Sequence, residues 1–398
     1  MNETVVRGRV VTKDSVIDDG VVVVDGEKLA WVGPASHAAA AGWGGALSEM
    51  PTHDGYVLPG LVDLHNHGGG GTSFPDATTP EDVLRGVAEH RRHGTTSVVV
   101  SLVTAAPDDL RDRVTLLADI ADSGEIAGIH IEGPFLSAAR CGAQNPELII
   151  APDARLTEEL LRLGRGHVVT MTLAPEGDGV QDVAAALVAG GALPSWGHTD
   201  SDPDSTRSAV AASADNLAAG TGRSARATVT HLFNGMRPLH HRDPGPIGEL
   251  LAAAARGQVV VELIGDGTHL HPAIVREVHG MVGRDSAVLV TDAMAATGMA
   301  DGDYELGSRT VTVADGVARL NPGGSIAGGT AHLLDIVRTS VDAGVPLVDA
   351  VYMASTGPAA VLGDPGIGAL EAGRRADVVI TDDGLHPVRV IRQGREIT

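Results

Sequence analysis

From about Tyr56 onward, short apolar runs alternate with stretches in which apolar residues recur at helical spacing. This is the pattern of a parallel sheet whose strands are joined by crossover helices. Eight runs stand out, at residues 57–65, 96–104, 126–132, 167–174, 193–198, 227–233, 259–265 and 286–291. The intervening spacing predicts helices that include Pro80–Arg92, 157–163, Pro272–Val282 and 330–343. The first is announced by Thr78-Thr79-Pro80-Glu81, which supplies a cap, a proline in the first turn and a carboxylate. Eight parallel strands with crossover helices predict an α/β fold, a closed (β/α)8 TIM-type barrel.

The ends of the chain follow a different rhythm. Val-rich alternation at 4–11, 16–24 and 29–32 is punctuated by Asp-Asp-Gly and Asp-Gly-Glu, and it returns at 376–381 and 388–397 around a further Asp-Asp-Gly. Both patterns read as antiparallel β. Neither half is long enough to fold alone, so the termini are expected to form one small β-sandwich domain, residues 1–55 with 362–398, bracketing a catalytic barrel at 56–361. Residues 304–320 alternate Val and Thr about an Ala-Asp-Gly turn and predict a β insertion before the last helices.

Composition refines this picture. Aromatic residues are only 2% of the chain, so Ala, Val, Leu and Gly must fill the interior with backbones packed closely. The 29 basic against 51 acidic residues give a net charge of −22, which argues against a nucleic-acid partner or an anionic membrane surface. An anionic substrate would need a local cationic pocket. Cys141 is the only cysteine, which excludes an intrachain disulfide and a thiolate zinc cluster. No basic segment followed by an apolar run opens the chain and no stretch of 18 apolar residues occurs, so a soluble, cytoplasmic protein is expected. Lys13 and Lys28 are the only lysines, which removes a Schiff-base, P-loop or carbamylated lysine from any site in the barrel.

The chemistry lies where the apolar runs end, the face on which barrel enzymes carry their sites. The first run leads into His65 and His67, followed by four glycines. If the strand stays extended, the two imidazoles share a face about 6–7 Å apart. The third run ends at His130 and Glu132, the fifth at His198, the sixth at His231 and Asn234, and the eighth at Asp292. Imidazoles mixed with carboxylates suit Zn²⁺, Fe²⁺ or a similar divalent ion that acidifies water and polarises a carbonyl. Glu132 is a candidate ligand or a bridge between two ions. Asp292 is the candidate proton acceptor and donor; the alternative is a buried carboxylate capping the 293–298 turn. Arg242 could fork onto a phosphate or carboxylate. Of His269 and His271, which follow the seventh run, one is a candidate for function and the other for a helix start.

Seven stretches also carry a resemblance: Pro-Gly-Leu-Val-Asp-Leu-His-Asn-His-Gly at 59–68, His-Ile-Glu-Gly-Pro-Phe at 130–135, Gly-His-Thr-Asp at 197–200, Thr-His-Leu-Phe-Asn-Gly-Met at 230–236, Asp-Gly-Thr-His at 266–269, Val-Thr-Asp-Ala at 290–293 and Ser-Ile-Ala-Gly-Gly at 325–329. Through them the chain resembles, end to end, the N-acetylglucosamine-6-phosphate deacetylase family of the amidohydrolase superfamily. The resemblance implies one ion held by Glu132, His198 and His231, a second at His65 and His67, and Asp292 as catalytic acid and base. It places Asn234, the Gly235 amide, Arg242 and His269 on the sugar phosphate, and Ala143, Gln144, Asp266, Ile326, Ala327 and Gly328 in the same substrate site. It further implies hydrolysis of N-acetylglucosamine 6-phosphate in amino-sugar catabolism and cell-wall recycling, by a homodimer in which Arg242 reaches the neighbouring subunit's site.

Two departures from the family pattern stand out. Gln144 occupies a position where many members have a histidine that polarises the acetyl carbonyl, and an amide N–H can donate the same hydrogen bond. Gly235 replaces a more usual alanine, an exchange expected to be neutral for a backbone contact. Two other activities compete with the main reading: deacetylation of an epimer such as N-acetylgalactosamine 6-phosphate, and a dihydroorotase- or hydantoinase-like cyclic amidase, which the lack of barrel lysines opposes. A metal-free binding protein on the same fold is the reading from another class, and the filled ligand positions speak against it.

Overall fold

The computed structural model describes residues 3–47, 52–219 and 223–397. Eight parallel strands form one sheet in sequence order: β1 Leu61–Asp63, β2 Thr95–Leu102, β3 Gly128–Glu132, β4 Val168–Leu173, β5 Leu193–Trp196, β6 Ala227–Val229, β7 Val259–Leu263 and β8 Ala287–Leu289. β1 and β8 meet just past their ends, where the His67 N–H donates to the Ala293 carbonyl at 2.7 Å and the Asp292 N–H to the His65 carbonyl at 2.9 Å. The buried Asp63 carboxylate latches the same seam, accepting from Thr291 Oγ1 at 2.6 Å and Asn66 Nδ2 at 3.0 Å. Closing the barrel therefore brings the histidine pair of β1 beside the aspartate that follows β8.

Two expected helices appear at their expected bounds, Pro80–Arg92 and Pro272–Val282. Thr79 caps the first by accepting from the Asp82 N–H. The expected 157–163 helix starts earlier, as Ala154–Leu163, because Asp153 caps it. The helix expected over 330–343 is Leu333–Asp342, with His332 at its N-cap in a reciprocal capping box with Asp335. The core is built from Val, Leu, Ile and Ala, and Trp196 is its largest fully buried side chain. Among the described residues no helix is long and apolar enough to cross a membrane.

The termini share one seven-stranded sheet, whose N- and C-terminal strands close on a single small core. Its order is Arg395–Glu396, Pro387–Arg392, Val378–Thr381, Tyr56–Pro59, Glu3–Val11, Val16–Asp25, Lys28–Pro34. The apolar run at 57–65 is accordingly divided: Tyr56–Pro59 pairs with both chain ends, and only Leu61–Asp63 enters the barrel. Gly60 makes the passage, since a Cβ there would lie 2.2 Å from Thr96 Oγ1 and 2.6 Å from Asp377 Cβ. The small sheet thus reaches four residues beyond the expected boundary at 55; residues 1–2, 48–51 and 398 of the expected domain lie outside the described residues. The insertion forms as expected, an antiparallel three-stranded sheet of Gly302–Leu306, Arg309–Ala314 and Val317–Leu320.

Candidate metal centre and active site

The strands stop short of the chemistry. His65, His198 and His231 each sit two residues beyond their strand and Asp292 three beyond β8, while Glu132 closes β3 itself. His198, His231 and Asp292 adopt φ of 47°, 28° and 47°. Non-glycine residues rarely take that region, and held strain of this kind concentrates at functional sites. The turned backbone aims these side chains at the barrel axis.

Two groups result, each with ligand atoms within 4.8 Å of one another: His65, His67 and Glu132, and Glu132, His198 and His231. Glu132 serves both. Its Oε1 is 3.1 Å from His198 Nε2 and 2.9 Å from His231 Nε2, and its Oε2 is 3.2 Å from His67 Nε2. The His65 and His67 Nε2 atoms approach to 2.9 Å, and those of His198 and His231 to 3.0 Å. The two ring centroids lie 4.9 Å apart, closer than the roughly 6–7 Å of an extended strand, and β1 ends at Asp63, before either histidine. Asp292 Oδ1 lies 3.3 Å from Nε2 of both His65 and His67.

This donor set fits divalent ions. Four Nε2 atoms converge in pairs on a shared carboxylate, with no thiolate, as Zn²⁺ or Fe²⁺ accepts. The electrostatics agree. Burial disfavours a charged His65, yet Asp292, Glu132 and Glu262 outweigh it and push its pKa up to about 10. Burial likewise opposes ionisation of Asp292 and Glu132, but the surrounding imidazoles hold both well below the usual carboxylate range. The cage stabilises positive charge at its centre, so protons and metal compete for the same nitrogens.

The neighbouring polar groups divide into those that face the cavity and those that support its walls. His130, although at a strand end, spends Nδ1 on Ser101 Oγ at 2.9 Å and Nε2 on Thr172 Oγ1 at 2.8 Å, and it joins neither group. A cavity opens over Glu132 and Asp292. Of the expected substrate residues, Ala143, Gln144, Asn234, Gly235, His269, Ile326 and Gly328 line it.

Three others do not. Asp266 turns onto His269, accepting its backbone N–H at 2.8 Å and pairing with Nδ1 at 2.8 Å. Burial works against a charged His269, but Asp266 holds its pKa above the ordinary value. Ala327 packs into the core of the three-stranded insert. Arg242 is exposed and lines no part of its own chain's cavity. His271 is the helix-start residue, its ring accepting from the Ala273 N–H.

Gln144 is held from both ends. The Thr104 backbone N–H donates to its Oε1 at 2.7 Å, which fixes the amide orientation, and its Nε2 then donates to Glu132 Oε2 at 2.6 Å. The expected donor to a carbonyl is therefore committed first to the shared carboxylate. At Gly235, φ is +58° and a Cβ would stand 2.7 Å from His198 Nδ1, which donates to the Arg140 carbonyl at 2.8 Å. An alanine, expected to be neutral, would require that ring to shift.

Sequence reasoning missed the apolar wall of Val103 and Leu306, which the three-stranded insert completes. It also missed Glu262, buried on β7 with Oε2 3.1 Å from His65 Nδ1 and accepting the His231 backbone N–H at 3.2 Å. The available signal was a lone carboxylate inside the apolar run Val259-Val-Val-Glu-Leu-Ile264.

The amidohydrolase family model matches residues 56–397, and the chain belongs to that family. A curated relative from Lysinibacillus sphaericus, named N-acetylglucosamine-6-phosphate deacetylase, is 34% identical over 345 residues, covering 85% of each chain. A relative from Escherichia coli O157:H7, named N-acetylgalactosamine-6-phosphate deacetylase, is also 34% identical, covering 85% of this chain and 87% of its own. Among solved structures, a point variant of the N-acetyl-D-glucosamine-6-phosphate deacetylase of Mycobacterium smegmatis, in complex with N-acetyl-D-glucosamine-6-phosphate, superposes with a TM-score of 0.90 at 38% identity over 100% of both chains. Within the amidohydrolases the chain groups with the N-acetylglucosamine-6-phosphate deacetylases.

Proposed function

We propose that this chain is a divalent-metal-dependent amide hydrolase that converts N-acetylglucosamine 6-phosphate to glucosamine 6-phosphate and acetate. The observation that carries the reading is Glu132 shared between two histidine pairs, with Asp292 Oδ1 3.3 Å from one of them. Zinc or iron, one or two ions, suits His65, His67, Glu132, His198 and His231. When bound, such an ion lowers the pKa of water and polarises the amide carbonyl.

The protein's own groups do the rest. Asp292 takes the proton of the attacking water and passes it to the departing amine nitrogen. His269, whose pKa Asp266 raises against the effect of burial, and the Gly235 amide meet the sugar phosphate. Val103 and Leu306, which line the cavity, supply an apolar wall suited to the acetyl methyl. A cytoplasmic setting is part of the same reading and rests on the single cysteine.

Gln144 acts on the carbonyl mainly through Glu132, whose oxygen it orients. Gln144→Ala is expected to lower metal affinity by roughly 10–100-fold, as outer-shell changes do. Competition with a chromogenic chelator measures this; unchanged affinity with a fall in kcat would return Gln144 to the substrate carbonyl.

Exposed Arg242 fits a homodimer in which it grips the neighbouring subunit's phosphate, offsetting the charge of −22. Mixed dimers of Arg242→Ala with Asp292→Asn subunits are then expected to regain activity, since one of their two sites is complete. Inactive mixed dimers would confine the arginine to its own subunit.

The function itself is tested by acetate release from N-acetylglucosamine 6-phosphate, abolished by chelation and restored by Zn²⁺ or Fe²⁺. Full activity in stringently metal-free protein would sink the reading. The Escherichia coli relative favours a second substrate, and a higher kcat/KM for N-acetylgalactosamine 6-phosphate in parallel assays would replace the first.

A further inference from the structure

Each histidine pair has one imidazole anchored through its outer nitrogen and one that is not. His198 Nδ1 donates to the Arg140 carbonyl at 2.8 Å, whereas His231 Nδ1 is buried without a hydrogen-bond partner. In the other pair His65 Nδ1 meets Glu262 Oε2 at 3.1 Å, whereas His67 Nδ1 is buried without a partner. A carboxylate can only accept, so Glu262 commits His65 to the tautomer with the proton on Nδ1. In the neutral ring, the form that binds metal, the Nε2 lone pair is then free and faces the centre, 2.9 Å from His67 Nε2 and 3.3 Å from Asp292 Oδ1.

The cost of placing Glu262 argues for a purpose. It is a carboxylate at 2% exposure on an apolar strand, a position that is unfavourable unless the charge is fully used. Its Oε2 has two uses here, the His65 imidazole and the His231 backbone N–H at 3.2 Å. The second steadies the left-handed turn that presents His231.

We infer that Glu262 is a positioning residue for the His65–His67 half of the site: by fixing the tautomer and ring orientation of His65 it sets the affinity of that half for its ion, while the His198–His231 half has its own anchor at Arg140. The inference rests on the proposed metal site in its two-ion form. Outer-shell carboxylates of this kind typically contribute 10–100-fold in metal affinity.

The test is zinc titration of the purified protein against a competing chelator, resolving two dissociation constants, with thermal unfolding of the metal-stripped protein as the fold control. Wild type is expected to bind two ions. Glu262→Ala is expected to weaken one ion by about 10–100-fold and the other by several-fold less. Glu262→Gln, which keeps an acceptor oxygen, is expected to fall between Glu262→Ala and wild type. A wild type that binds one ion only overturns the paired site and this inference with it. Two tight ions in wild type with both unchanged in folded Glu262→Ala, or both weakened equally, overturns the role of Glu262 alone.

Discussion

Asp292→Asn is expected to lower kcat by about 10²–10⁴-fold, the usual contribution of a positioned acid and base, or roughly 3–5 kcal/mol in the barrier. The substitution keeps the shape of the side chain. It also leaves the main-chain bonds that shape the loop, from the Asp292 N–H to the His65 carbonyl at 2.9 Å and from the Gly329 N–H to the Asp292 carbonyl at 2.6 Å. What it removes is an ionised carboxyl, held so by His65 and His67 against the effect of burial, at the point where the proposed reaction takes up and returns a proton. The measurement is kcat on N-acetylglucosamine 6-phosphate together with metal content. A variant with wild-type metal content and near wild-type kcat would remove Asp292 from the reaction.

Glu132→Gln is expected to disable the site more completely, because it acts on both halves. The carboxylate turns Oε1 to His198 and His231 and Oε2 to His67, so each half has an anionic oxygen. An amide offers one oxygen and turns an N–H₂ toward the other half, where it opposes a cation. Metal affinity should therefore fall by more than the 10–100-fold typical of outer-shell changes, and activity should fall with it. A readout independent of activity is the thermal shift on adding zinc. Ligand at 100 times its dissociation constant stabilises a protein by about 2.7 kcal/mol, so the wild-type melting temperature should rise with metal and that of Glu132→Gln should not. A full metal-induced shift in the variant would mean that the carboxylate is not the shared ligand.

Much of this molecule is legible in one dimension. The eight apolar runs, the capped Pro80–Arg92 helix, the terminal β segments and the three-stranded insert are all written as periodicity and turn residues, because burial of one face repeats at the period of the element. The chemistry at the strand ends is legible for a related reason. In a parallel barrel all strands share one direction, so polar residues that end separate apolar runs must gather at one mouth. His65, His67, Glu132, His198, His231 and Asp292 are found together on that rule.

What only the tertiary structure decided concerns partners. Periodicity says that a residue is buried, not what covers it, so 57–65 reads as one strand although Gly60 divides it between two sheets. His130 ends its apolar run as the ligand candidates end theirs, but Ser101 and Thr172 take both its nitrogens. Gln144 reads as a donor to substrate, and only the fold shows that the Thr104 amide turns it onto Glu132 as well. Glu262 lies 197 positions from His65, and no local pattern can register a hydrogen bond across that distance. The sequence by itself determined the fold class and which side chains gather at the barrel mouth; barrel closure, which brings β1 against β8 and the insert over the mouth, decided how those side chains are oriented, because orientation depends on contacts between segments remote in the chain.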